Sequence, residues 1–448
     1  MNSLYKRMAF YNSGVKTNIY DPVMTLNNNR VEWNLPADCM YLSSLRIHNI
    51  GAFATGGAAA WNKKGGIFSY IRNITLYDGG VILDQLRFVG EYMSFKNYNR
   101  ANRNNVGMEI VKKGHQQGFI LNNEDDGTLD EAYTAPAINT AEGTTSRYCI
   151  DLREVLPMLR NSQFLPGQLY RNLRVVVEFD VDSLKTLHDN TQIATLSSLT
   201  DSLLVVDELV NAQVVQQAMT SYAGVSFSAI EYDGYSINPT AVPALVAGGQ
   251  NTATTSTTLT GFHGKFVNRL LMYVAPTTAL AAVAVAGGTG VLTSYGKFRA
   301  ARLNAESIQV RLNGSNMFAP PLADSAQKLA LLHDTWGICD HPPMSHEMGV
   351  FSLRAKGQGL ASDNYVADMV NSNSYLGMFI RDRVETLQLD ITQTQFIPVG
   401  SANPQVIDNA IGNNQDILLG GQTQQVNIFG EVRKSILVQG DNYRVIYN

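Results

Sequence analysis

The sequence predicts an all-β protein of two tandem β-sandwiches, with a few short helices and long loop insertions. Short alternating apolar runs between turn residues recur along the whole chain, which is the β signal. A strand–turn–helix pattern recurs about half a chain length apart. Helical periodicity is confined to a few stretches, which argues for antiparallel β layers over an α/β fold.

Val31–Leu35 and Leu45–Ile50 alternate apolar and polar residues. Ile71–Leu76 runs through the turn Tyr77-Asp78-Gly79-Gly80 into Val81–Leu83. Leu173–Val181 is the strongest strand pattern in the chain. Val225–Ile230, Phe266–Val274, Ile308–Leu312, Val384–Ile391, Val426–Val432 and Ser435–Val438 follow. Most are of ordinary strand length. Two segments read as helices: Asp84–Phe95, with Leu86, Val89 and Met93 on one face, and Ala323–Trp336, with Ala326, Leu329, Ala330, Leu332 and Trp336. Asp201–Met219 fits both periods. Between these elements lie long low-complexity segments, read as loops: Asn102–Arg147, Thr240–Gly261, Ala275–Gly296 and Ser401–Gln425.

The repeat pairs Ile74–Gly79 and the helix after it with Val310–Gly314 and the helix after that. It also pairs the strand around Val177 with the one around Leu387. Both offsets fall close to half of the 448 residues and place the joint near Met219–Val225.

The composition narrows the function. Thirty-four Lys+Arg against 38 Asp+Glu give a net charge of −4, and charged residues make up only 16 %. A phosphate-coating protein needs a basic excess, and a disordered chain needs high charge with low hydrophobicity. Uncharged polar residues suit broad packing against neighbours, because such contacts desolvate no ions. Cys39, Cys149 and Cys339 are too few and too scattered for a disulfide framework, which points to a reducing compartment. No secretory signal is visible. The longest apolar run, Ala279–Ala286, falls far short of the ~20 residues that cross a bilayer. An Asn-Ile-Thr sequon, Asn73–Thr75, falls inside a strand pattern.

The best candidate for chemistry is His333–Glu347, which gathers His333, Cys339, Asp340, His341, His346 and Glu347. Zinc needs three or four such ligands converging. The Pro342-Pro343 turn would bring His341 and His346 together, but the spacing matches no Cys-x-x-Cys or His-Glu-x-x-His pattern. His333, Cys339, His341 and His346 therefore stand as metal candidates against a polar loop after a helix. Glu178, Asp180 and Asp182 line one face of a strand, an arrangement shared by Ca²⁺ sites, glycosidases and solvated strands. Basic clusters are small: Lys63-Lys64, Arg100 with Arg103, Lys112-Lys113, and Arg299 with Arg302. Tyr98 beside Arg100 is a candidate for stacking on a base. There is no phosphate loop, dinucleotide fingerprint or nucleophile elbow, and no catalytic residue or cofactor is assigned.

The sequence resembles the double jelly-roll major capsid proteins of icosahedral DNA viruses, the lineage of adenovirus hexons, tailless phages, virophages and polinton-like viruses. The resemblance is carried by Tyr70–Gly80 with its following helix, by Leu165-Pro166-Gly167-Gln168 leading into Leu173–Val181, by the half-chain repeat, and by a terminal Val426–Val438 strand pair ending near Tyr447. It implies an arm (1–20), a first eight-stranded jelly roll (21–220) and a second with tower-like loops (221–448), the tower candidates being Thr240–Gly261 and Ala275–Gly296. It further implies a non-enzymatic subunit of a virion capsid, made in the host cell interior. Three copies would form a pseudo-hexagonal homotrimer that meets neighbouring capsomers, minor capsid or penton proteins and an internal membrane, with no sequence-specific nucleic-acid binding. The rival functions are a carbohydrate-binding β-sandwich and a metal-dependent enzyme built on His333–Glu347.

Overall fold

The computed structural model describes residues 14–26, 30–50, 53–54, 67–68, 71–100, 148–179, 195–196, 202–237, 250–276, 283–284, 291–292, 307–323, 325–337, 375–396, 405–406, 424–440 and 442–447. Sixteen strands among them fall into two sets of eight. The first set is β1 (Val15–Tyr20), β2 (Arg30–Asn34), β3 (Arg46–Ile50), β4 (Ile71–Asp78), β5 (Val81–Arg87), β6 (Tyr148–Asp151), β7 (Leu173–Phe179) and β8 (Leu203–Leu209). The second is β9 (Gly224–Ile237), β10 (Gln250–Thr258), β11 (Phe266–Pro276), β12 (Ser307–Leu312), β13 (Ser315–Asn316), β14 (Tyr375–Arg383), β15 (Leu387–Phe396) and β16 (Gln424–Gln439).

Pairing gives sheets β1-β8-β3-β6 and β2-β7-β4-β5 in the first set, then β9-β16-β11-β14 and β10-β15-β12-β13 in the second. Adding eight to each label of the first set reproduces the second. Two antiparallel four-stranded sheets in this order, facing each other over a core, make an eight-stranded jelly roll. The chain is therefore a double jelly roll. The repeat seen in the sequence has this origin: β4 and β12 are equivalent, and so are β7 and β15. Short strands extend the sheets, with Met24–Leu26 on β2, Met40–Leu42 joining Phe164–Pro166 to β8, Gln405–Val406 on β15, and Asn442–Tyr447 on β16.

Among the described residues four α-helices decorate this frame: α1 (Val89–Arg100), α2 (Pro157–Asn161), α3 (Ala212–Ser221) and α4 (Ser325–Trp336). α1 and α4 occupy equivalent places, each after the fourth and fifth strands of its roll. Asn211 caps α3, its side chain accepting from Gln213 and Val214 N–H, so the ambiguous Asp201–Met219 stretch divides into β8 and then α3.

The structure corrects several sequence expectations. Asp84–Arg87 is strand, and the helix begins only at Val89. Leu86, near the end of β5, precedes Val89 of α1 by three residues, a spacing that imitates a continuous helix. Phe88, with φ +54°, then turns the chain into α1. Val426–Val438 lies within one continuous strand rather than a pair, and only its end, from Lys434, pairs with Asn442–Tyr447. Within Thr240–Gly261, Gln250–Thr258 is strand, because runs of β-branched Thr fit a pleated sheet. Val384 is buried in the turn between β14 and β15 rather than in a strand. Val15–Tyr20, assigned to the arm, is the first strand of the first roll and pairs with β8 along its length. Of Ala275–Gly296, Val283–Ala284 pairs with Val291–Leu292. Most of that segment, like Asn102–Arg147 and most of Ser401–Gln425, lies outside the described residues.

The two-residue turn from β12 to β13 uses Asn313 (φ +49°) and Gly314 (φ +81°), the Asn-Gly preference of type I′ hairpins. Asn313 Oδ1 accepts from the N–H of Glu385 (2.9 Å) and Thr386 (3.1 Å), and its Nδ2 donates to Arg383 O (3.0 Å). One side chain thus ties this hairpin to the β14–β15 turn. Asn313→Ala is expected to cost about 2 kcal/mol, from left-handed backbone strain and lost hydrogen bonds. Asn313→Gly should recover the strain part alone, as urea unfolding of both variants would show.

Candidate functional site

The most elaborate site in the molecule is the junction where the two rolls meet. A hydrophobic core fills the first roll and continues into Val225, Phe227, Ala229, Leu271, Leu332, Trp336, Phe429 and Ile436 of the second half. A separate core around Phe262, Val310, Leu389 and Ile428 fills the second roll. The first roll is therefore not closed by itself, and β9 lies against β5 and α2.

An aromatic seam lines one side. Tyr92 and Phe95 of α1 meet Trp336 of α4 edge-on, with centroids 6.3 and 6.0 Å apart. Tyr92 lies 5.4 Å from Phe429 of β16, Phe429 lies 5.3 Å from Tyr232 of β9, and Phe88 lies 4.0 Å from Tyr232. Offset and edge-to-face pairs of this kind add to the plain burial of the rings. Burial pushes the Tyr232 hydroxyl up to about 12. Trp336 Nε1 donates to Leu270 O at 2.9 Å, and the Arg269 guanidinium stacks over its ring at 4.2 Å. Arg269 also bonds Glu431 and Thr335 O.

A polar seam lines the other side. Tyr443, on the C-terminal strand, donates to Asp78 Oδ2 at 2.7 Å, across the two rolls. Its ring meets Tyr170 at 4.9 Å, and the Tyr170 and Tyr222 hydroxyls are 2.9 Å apart. Burial first, then the Asp78 carboxylate, holds the Tyr443 hydroxyl above its ordinary value. Asp84 is 0 % exposed and accepts from Met158 N–H (2.8 Å) at the start of α2 and from Gln85 N–H (2.9 Å). Lys434 of β16, 2 % exposed, reaches across to Ile82 O at 3.4 Å. Burial pushes the Asp84 carboxyl up to about 7 and pulls the Lys434 ammonium down, while each one's charge partly offsets the other's shift.

The residues singled out in the sequence fare differently. Trp336, placed on a helix face, belongs to the seam. His333 is exposed on the last turn of α4, with Nδ1 3.7 Å from Asp334. Cys339, His341 and His346 lie outside the described residues, as do Asp340, Glu347, Asp180 and Asp182. Among the described residues no group of three or more His, Cys, Asp or Glu could hold a metal. Glu178 accepts from Asn73 Nδ2 at 2.6 Å, so the sequon asparagine is tied into the sheet. Of the basic clusters, only Arg100, which ends α1, lies within the described residues. Sequence reasoning missed Asp84 and Lys434. The signal was present as a charge interrupting an apolar strand: Leu83-Asp84 in one roll, Val432-Arg433-Lys434-Ser435-Ile436 in the other.

Apolar side chains also reach the surface. Val15, Ile19, Val23 and Val210 are exposed around the β1 side of the first roll, and Val81, Ile82, Leu437 and Tyr447 near the junction. No described helix is long and apolar enough to cross a membrane.

No family model matches the chain, and no curated protein matches its sequence. Solved structures do match over nearly the whole length. The PBCV-1 VP54 structure fitted into a reconstruction of the virophage Sputnik aligns at TM-score 0.54 and 10 % identity, covering 97 % of each chain. A cryo-EM structure of the Sputnik virophage aligns at TM-score 0.52 and 8 % identity, covering 97 % of this chain and 88 % of that one. The Faustovirus major capsid protein aligns at 0.51 and 7 % identity, covering 95 % and 90 %. At such identities the likeness is one of fold, and it runs through both rolls.

Proposed function

We propose that this protein is the major capsid subunit of an icosahedral virus, a non-enzymatic building block that assembles as a homotrimer. The observation that carries this is the pairing of two rolls of identical strand order, joined by a continuous core. One chain then presents two similar halves at a fixed angle, and three chains related by a threefold axis present six. That converts threefold symmetry into the near-sixfold outline a hexagonal lattice needs. The low surface charge and the exposed aliphatic residues fit broad association with copies of itself.

In this reading the first roll extends from β1 through α3 and the second from β9 to the C-terminal strand. Of the arm expected over 1–20, Val15–Tyr20 is taken into the first roll as β1, and the tower-like loops are assigned to Thr240–Gly261 and Ala275–Gly296 of the second. The partners are the subunit itself, neighbouring capsomers, minor capsid or penton proteins and an underlying membrane, with the virion as its location. No sequence-specific nucleic-acid binding enters. The carbohydrate-binding and metalloenzyme readings have no observation in their favour.

Light scattering on a sizing column tests the reading. A chain of 49.1 kDa should elute as a species of about 147 kDa, three times its own mass, and should resist dilution. Negative-stain images should show hexagonal outlines. A monomer at every concentration, or a metal bound at unit stoichiometry, would overturn it.

A further inference from the structure

We propose that the junction between the rolls is a proton-sensitive lock, set by whether the buried Asp84 carboxyl carries a proton opposite the buried Lys434 ammonium. The inference rests on the junction alone and stands whether or not the chain builds a capsid.

The geometry is unusual for two surface-type residues. Asp84 lies in β5, opposite Leu76 on the core face of its sheet, and caps the first turn of α2 through Met158 N–H. Lys434 comes from the other roll, with its Nζ directed at the carbonyl of Ile82, two residues before Asp84. Each group is almost wholly removed from water. A charge so placed is costly unless it is paired.

The surrounding groups fix the balance. Facing Asp84 from the second roll are Lys434 on β16 and Glu231 on β9. Glu231 is held by Lys265 at 3.6 Å and by the Tyr447 hydroxyl at 3.1 Å, and Lys265 lies over the Tyr447 ring. From its own roll Asp84 meets the apolar Leu76 and the N–H groups of Gln85 and Met158, while Arg160 of α2 is exposed. One positive and one negative side chain therefore oppose each other's influence on a carboxyl that burial alone would keep neutral.

The sign follows from linkage. An aspartate that titrates at 3.8 when unfolded and at about 7 when folded binds its proton more tightly in the folded chain. The stability this confers is complete below the unfolded value and is lost as pH rises through about 7. Above that pH a carboxylate remains in the junction, held by two N–H groups and the Lys434 charge. Lys434 works in the opposite sense, since burial favours its neutral amine and stability from it grows as pH rises through its lowered value.

The test is thermal unfolding of the full chain between pH 5.5 and 8.5, with D84N as the neutral reference. The wild-type midpoint should fall relative to D84N by roughly 1.5 °C per pH unit as pH rises from 5.5 to about 7, and the difference should level off above that pH. K434M removes the positive neighbour and should move the pH at which this fall levels off upward, whereas E231Q should move it downward. Hydrogen exchange, corrected for intrinsic rate, should show protection falling as pH rises to about 7, and no further above it, in Val81–Arg87 and Arg433–Gln439 before β15. Parallel wild-type and D84N profiles would overturn the proposal, as would K434M and E231Q moving the levelling-off pH in the same direction. If D84N does not fold, the opposed shifts of the other two variants decide alone.

Discussion

Replacing Trp336 with alanine is expected to destabilise the protein by about 3–5 kcal/mol, the largest single-residue loss anticipated at the junction. Three effects combine. The indole is almost fully buried, so its removal leaves a cavity between α4, α1 and β11. The carbonyl of Leu270 loses the donor it meets at 2.9 Å, a cost of about 1–3 kcal/mol where water cannot replace it. The Arg269 guanidinium also loses the ring it stacks on, keeping only Glu431 and Thr335 O. By contrast, a solvent-accessible ion pair such as Arg153–Asp151 contributes about 0–1 kcal/mol. Urea unfolding measures the loss, and Trp336→Phe should retain most of the apolar contact. Because Tyr92 and Phe95 belong to the first roll, hydrogen exchange should rise in α1 as well as in α4. A loss below about 1 kcal/mol would mean that the seam is not what fixes one roll against the other.

The strands were legible because alternation is a local property. Leu173, Val175, Val177 and Phe179 point inward in β7, with Arg174 and Glu178 between them, and no distant contact is needed to see this. The repeat was legible too, since β4 and β12 keep the same strand–turn–helix order. What escaped depends on contacts between the rolls. Arg433-Lys434 looks like a break between two strands in isolation, yet the second roll runs one strand through it because Lys434 is taken up by the junction. Asp84–Phe95 has a helical look because Leu86 falls three residues before Val89, and only the pairing of Asp84–Arg87 with β4 shows that its first part is strand. Thr252 to Thr258 appears as low-complexity linker until a partner strand, β15, is laid beside it. The candidate site was the least legible part. A junction carries no motif, and His333, the metal candidate that falls among the described residues, is exposed on the last turn of α4 and takes no part in it.

Gly224→Ala is expected to rank next in size, at about 3 kcal/mol, and to act on the angle between the rolls. Gly224 opens β9 at φ +105°, a conformation that residues with a Cβ rarely adopt. A Cβ at this position would lie 1.9 Å from the carbonyl oxygen of Ile436 on the neighbouring strand. That atom is backbone, so no rotamer change relieves the overlap, and β9 and β16 must part at their first pair, Gly224↔Leu437. Gly264 separates the two contributions: it has φ +75°, but a Cβ there would meet nothing within 4 Å. Gly264→Ala should therefore cost only the backbone strain, about 1 kcal/mol. The difference between the two variants then measures the steric part. Val225 and Phe227, which follow Gly224 closely in β9, contribute to the core shared by both rolls. A shift at the start of β9 should therefore reduce formation of the proposed trimer at concentrations where Gly264→Ala forms it as the unaltered chain does. If both variants unfold at the same urea concentration, the β9 end frays without cost, and the junction is held from the aromatic seam alone.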